Sequence, residues 1–65
     1  PEHSDLFYAV MTLPKKYRVV IYLHYYEGYS TEEISKLVGI PSATVRTQLK
    51  RGREILKSDM EGYHV

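Results

Sequence analysis

The chain has no cysteine and no tryptophan, and its 65 residues include only three prolines, four glycines and one phenylalanine. Without thiols there is no disulfide framework and no thiolate zinc site. Packing of apolar side chains must therefore hold together a chain near the lower size limit for independent folding. No apolar run approaches the roughly 18 residues of a membrane span, and the N-terminal stretch Pro1–Phe7 lacks the basic and apolar regions of a signal peptide. A phosphate-binding loop of the G-x-x-x-x-G-K type, an internal repeat and a low-complexity stretch are all missing from the sequence. His3, His24 and His64 do not have metal-ligand spacing, and serine, histidine and aspartate occur without a pocket-sized fold around them. We expect a single cytoplasmic domain with no membrane contact, no enzyme activity, no cofactor and no metal. The chain begins with Pro1 rather than Met, so we also expect a piece of a longer protein.

What the chain does have is charge of one sign in one place. Ser42–Lys57, SATVRTQLKRGREILK, carries Arg46, Lys50, Arg51, Arg53 and Lys57 against Glu54, a net of +4 in a chain whose total is +1. On a helical wheel Val45, Leu49, Gly52 and Leu56 form one narrow stripe, and Arg46, Thr47, Lys50 and Arg51 fall roughly opposite. One face suits a core and the other an anion. Pro41 cannot continue a helix from upstream, and Ser42 is a good N-cap residue, so this stretch has a defined start.

The preceding stretch has the sharpest local signal. In Tyr29-Ser30-Thr31-Glu32-Glu33-Ile34, Ser30 and Glu33 have capping-box spacing, while Tyr29 and Ile34 occupy the positions of a hydrophobic staple. The spacing predicts a helix over 31–38 with Ile34, Leu37 and Val38 inward, ended by Gly39 in the left-handed conformation. A short helix, a tight turn containing Gly39 and Pro41, and a longer basic helix make the helix-turn-helix pattern.

Upstream, Leu6, Val10 and Leu13 recur at helical spacing, with Ser4 as cap and Asp5 at the positive end of the dipole. This predicts a first helix over 5–12. Pro14 suits the first turn of a second helix over 14–26, ended by Gly28. That helix is apolar around most of its circumference: Tyr17, Val20, Ile21 and His24 line one side, and Val19, Leu23 and Tyr26 another. It needs cover on more than one side, part of it from a partner. Residues 58–65 have two acids, Gly62 and no apolar period, and are expected to form a frayed tail. The fold class is therefore all-α, a small four-helix domain containing a helix-turn-helix, without winged elements.

The major groove of DNA admits an α-helix, and arginine can donate two hydrogen bonds to guanine. Arg46, near the start of the basic helix, is best placed for a base. Thr47 suits a base edge or a thymine methyl, and Lys50 and Arg51 follow one turn later. Arg53 and Lys57 lie towards the flank, where phosphates are the natural partners, and Ser42 and the amides around Thr44 offer a phosphate contact at the helix start. Seven tyrosines invite a stacking surface for single strands, but Tyr17, Tyr22, Tyr25, Tyr26 and Tyr29 cluster away from the basic face and suit core or protein-interface roles. A solvated amphipathic face is the alternative use of the charges.

Taken together, Leu13-Pro14, Arg18, Val20, Leu23, Tyr25, Gly28, Ser30, Glu33-Ile34, Gly39-Ile40, Thr44-Val45, Leu49 and Arg51-Gly52-Arg53 resemble region four, the C-terminal domain, of bacterial RNA polymerase sigma factors. The extracytoplasmic-function group is the nearest. The resemblance covers about residues 5 to 57. It implies a domain whose last helix reads double-stranded promoter DNA at the element near minus thirty-five, with base-reading positions on Arg46, Thr47, Lys50 and Arg51. It also implies RNA polymerase core, through the flap of its β subunit, and an anti-sigma factor as partners, with a monomer in isolation. Ser35 stands where the family usually has alanine, Ala43 where it often has glycine, and Gly52 where alanine is common. Two other readings share the layout: the output domain of a response regulator or quorum-sensing activator, and a protein-interaction module working through the second helix.

Overall fold

In a computed structural model of the protein, the backbone is described for residues 2–63 and the side-chain surroundings for residues 5–59. Helix α1 spans Glu2–Met11, α2 Lys15–Ile21, α3 Thr31–Val38 and α4 Ser42–Tyr63, with a π-helical turn over Tyr22–Tyr26 continuing from α2. No strand occurs among the described residues. The all-α, four-helix fold with a helix-turn-helix is the one the sequence predicts.

Val10, Leu13, Val20, Ile21, Ile34, Val45 and Leu49 form the core, with one or two residues drawn from each helix or the turn beside it. Fully burying a side chain of this kind is worth about 1.5–3 kcal/mol. Among these residues Ile34 and Val45 are completely buried, one on each helix of the helix-turn-helix. Two residues of the expected apolar faces are exposed instead. Leu6 is 42% exposed and Leu37 59% exposed. In two-turn α3 the inward direction is taken by Ile34 and, one turn later, by half-buried Val38, which turns Leu37 towards solvent.

Helix boundaries differ from the periodic pattern where backbone bonding outweighs it. The first helix begins at Glu2 rather than residue 5, so Ser4 lies inside it rather than at its cap. Its end is held by Thr12 Oγ1, which donates to the Ala9 carbonyl at 2.9 Å, and by Arg18 Nη1, which donates to the Met11 carbonyl at 3.2 Å. Pro14 is the N-cap of α2, in extended backbone, rather than a first-turn residue.

The predicted 14–26 helix changes register at Tyr22. There the Glu27 amide donates to the Tyr22 carbonyl at 3.2 Å, five residues back. The widened turn accompanies aromatic packing: Tyr22 and Tyr26 stack with centroids 5.4 Å apart, and Phe7 of α1 meets Tyr26 edge-on at 5.9 Å. Gly28, at φ 79°, then reverses the chain. The Tyr29 amide donates back to the Leu23 carbonyl at 3.0 Å, and His24 Nδ1 donates to the Tyr29 carbonyl at 2.8 Å.

The last helix contains the largest correction. Residues 58–63, expected as a frayed tail, continue α4 to Tyr63; residues 64 and 65 lie outside the described residues. Once a helix is nucleated each added residue costs little, and no proline interrupts the ladder after Ser42. The missing apolar period meant that this stretch would not enter the core, which is a weaker condition than not being helical.

Candidate nucleic-acid interface

The interface begins at the turn between α3 and α4. Ser30 Oγ accepts from the Glu33 amide at 3.1 Å, and the Ser30 amide donates to Glu33 Oε1 at 2.8 Å, which completes the capping box. The Ser30 amide beside Glu33, aided by the Ser30 hydroxyl, holds its carboxyl below the ordinary value of 4.5. At the other end of α3, Gly39 adopts φ 75° and donates to the Ser35 carbonyl at 2.9 Å. The Ser35 hydroxyl donates to the Ile40 carbonyl. This bond is unavailable to the alanine usual at that position in the resembled family, and it ties the turn that aims α4.

Helix α4 starts at Ser42, with the Val45 amide donating to the Pro41 carbonyl at 3.1 Å. Pro41 therefore occupies the cap position and Ser42 is the first helical residue, not the cap. Proline can hold that position because capping by its carbonyl requires no amide hydrogen. Val45 and Leu49 are buried, Gly52 is covered and Leu56 is half-buried, so the predicted stripe is the packed face. A Cβ on Gly52 would sit 2.8 Å from Ile21 Cγ1, which makes helix contact the reason for glycine there.

The other candidate residues are outward. Arg46, Thr47, Lys50, Arg51, Arg53, Lys57 and Thr44 are exposed, and Ser42 is half-buried. Arg46, Lys50, Arg53 and Lys57 follow one another at spacings of four, three and four residues, so they form one basic row along the helix, with Thr47 and Arg51 beside it. Thr47 Oγ1 donates to the Ala43 carbonyl at 3.1 Å, which leaves its methyl and an oxygen lone pair for a ligand. Thr44 lies on the far side of the helix from Arg53 and Lys57, so the four phosphate candidates do not form one cluster.

Two neighbours of the basic row come from outside α4 and were missed by the sequence reading. Glu32 Oε2 lies 3.9 Å from Arg46 Nη1. Tyr25, in the π-helical turn, accepts a hydrogen bond from Arg53 Nη1 at 2.9 Å. A faint signal for the first existed: Glu32 is a second acid in the first turn of α3, which the capping box does not use. No group of three or more potential metal ligands occurs among the described residues, and no described helix is long and apolar enough to cross a membrane.

The chemistry offered is that of an anion-binding helix with base-reading donors. It is exposed along one side and clamped to a small core along the other. Comparison with known proteins agrees with this geometry. Residues 4–56 match the family described as Sigma-70, region 4. The chain is 43% identical over 51 residues to the ECF RNA polymerase sigma factor SigW of Bacillus subtilis, covering 78% of this chain and 27% of that protein. It is 39% identical over 54 residues to the ECF RNA polymerase sigma factor SigE of Mycolicibacterium smegmatis, covering 83% and 21%. RNA polymerase sigma factor SigV of Bacillus subtilis is 33% identical over 54 residues, covering 83% and 32%. The chain thus spans about a third or less of the length of these relatives.

Proposed function

The chain belongs to the Sigma-70, region 4 family, and from that membership we propose that it binds the upstream, minus-thirty-five element of promoters as part of a sigma factor directing RNA polymerase to initiate transcription. The observation that carries the reading is the exposed basic row of α4, presented by a capped helix-turn-helix on the side away from the core. In this reading Arg46, Thr47, Lys50 and Arg51 contact bases, while Ser42, Thr44, Arg53 and Lys57 contact phosphates. Its action is binding rather than catalysis, in the bacterial cytoplasm.

A lone helix-turn-helix makes few contacts, and non-specific binding generally has Kd of about 10⁻⁴ to 10⁻⁶ M. The domain on its own binds weakly, as a monomer. Tethering to a second DNA-binding domain and to polymerase raises its effective concentration at the promoter. The polymerase partner is the β flap, and the half-covered apolar surface of α2 supports this: a groove of about 690 Å³ is lined by Pro14, Val19, Val20, Val38 and Ile40. An anti-sigma factor would act by covering these surfaces.

The test is an amide NMR titration at low salt with a short duplex carrying an AAC-centred upstream promoter motif, set against a scrambled duplex. Shifts concentrated between Ser42 and Arg53, larger with the motif, are expected. No shift with either duplex would overturn the reading and leave protein interaction through α2 as the function.

A further inference from the structure

We propose that Glu32 is a positioning residue for Arg46, holding its guanidinium so that the free edge reads a base and keeping it from straying to phosphates. The inference rests on the promoter-binding reading above.

Glu32–Arg46 is the one ion pair among the described residues, and it spans the helix-turn-helix from the first turn of α3 to the second turn of α4. The carboxylate has a fixed base. Ser30 and Glu33 lock the start of α3 to each other, and Ile34, two residues after Glu32, is completely buried. Of the two acids in this turn, Glu33 is committed to the cap, so Glu32 is the one available to an outside cation. Lys36, one turn along α3, is the other cation within reach by spacing; the observed partner is Arg46.

The approach recorded is a single one, through Nη1 of Arg46 at 3.9 Å. A guanidinium carries five donors in a rigid fork, so the remaining edge can still make a bidentate contact with a guanine. In water the pair is loose, since the side chains are 57% and 70% exposed and screening is strong. Docking on DNA displaces that water and strengthens the attraction.

The two kinds of complex then differ. A base contact through the free edge keeps the pair, whereas swinging Arg46 to a phosphate breaks it and leaves the Glu32 carboxylate near the phosphate backbone. Glu32 therefore penalises phosphate binding by Arg46 while leaving base reading intact. Its effect is on the ratio of specific to non-specific affinity.

The experiment measures affinities of the 65-residue chain for the motif and scrambled duplexes by fluorescence anisotropy. The proteins are the wild type, Glu32→Gln, Arg46→Ala and the double variant, with circular dichroism confirming the helical fold of each. Glu32→Gln is expected to raise affinity for the scrambled duplex without raising that for the motif, so that the ratio falls about threefold to fivefold. In the Arg46→Ala background the same substitution should leave the ratio unchanged. An equal gain on both duplexes would overturn the proposal and reduce Glu32 to one unit of net charge. An undiminished loss of ratio without Arg46 would overturn it as well. Failure of the wild type to distinguish the duplexes is read from its own arm, and it would sink the promoter-binding reading together with this one.

Discussion

Gly52 of α4 and Ile21 of α2 meet so closely that a Cβ on the glycine would lie 2.8 Å from Ile21 Cγ1 and 3.1 Å from Cδ1. Ile21 is itself buried to 1% exposure and cannot swing away into solvent. The crossing of these two helices sets the angle at which the basic row is presented.

Alanine is common at the position of Gly52 in the family, and it gains about 1 kcal/mol of helix propensity. Here overpacking against Ile21 opposes that gain, typically by 1–3 kcal/mol. Gly52→Ala should therefore destabilise the domain by about 1 kcal/mol, lowering Tm by about 4–8 °C. The penalty should shrink only in part when combined with Ile21→Val, which removes Cδ1, 3.1 Å from the new Cβ, but keeps Cγ1 at 2.8 Å. Thermal denaturation followed by circular dichroism checks both, and a rise in Tm for the single variant would mean that Ile21 yields easily.

The capping box makes stability depend on pH in a definite direction. The Glu33 carboxyl is held below its ordinary value of 4.5 by the Ser30 amide and hydroxyl. Its contribution is present above the unfolded-state value and disappears as pH falls through the lower folded-state value. Glu33→Gln, which removes the carboxylate that the Ser30 amide holds, should lower Tm near neutrality, and its difference in Tm from the wild type should narrow as pH drops below 4.5. A Tm difference constant from neutral to acid pH would contradict this.

Arg46 and Arg53 should respond differently to the same truncation. Arg46→Ala is expected to cost about 1–3 kcal/mol on the motif duplex and to relax preference at one base pair. Arg53→Ala should weaken all duplexes alike and reduce the salt slope by about 1. A panel of single-base variant duplexes at several salt concentrations separates them, and a changed base preference for Arg53→Ala would refute its assignment to phosphate.

Val19 is half-buried and borders two apolar grooves, one shared with Val38 and Ile40 and one with Phe7, Met11 and Leu23. Placing a charge there should disrupt a docked helix but leave α4 intact. Val19→Glu is expected to weaken binding to RNA polymerase core by about tenfold or more. Promoter-duplex affinity should stay within about twofold of the wild type, because surface substitutions act locally. Unchanged polymerase binding in a pull-down titration would remove these grooves from the interface.

The four-helix class, the capping box and the left-handed Gly39 were legible in the sequence because each rests on groups a few residues apart. Ser30 and Glu33 need only one helical turn to find each other, and Gly39 needs only its own φ. The apolar stripe of α4 was legible too, since a period of 3.6 residues is written in the order of Val45, Leu49, Gly52 and Leu56. The stretch after Lys57 misled the reading because the lack of an apolar period says where a segment packs, not whether its backbone stays helical. The π-helical turn at Tyr22 left no local signature, as its widened bonding is tied to how Phe7 and Tyr26 pack between α1 and the end of α2.

By itself, then, the sequence determined the helices' identity, the turn that joins α3 to α4 and the concentration of positive charge on one exposed face. Short-range hydrogen bonding, side-chain period and composition act along the chain and need no knowledge of its path in space. The tertiary structure alone decided that Glu32 faces Arg46, that Arg53 reaches the Tyr25 hydroxyl 28 residues away, and that Gly52 seats Ile21. Those pairings depend on the distance and crossing of separate helices, which the packing of the shared core sets and which no local pattern contains.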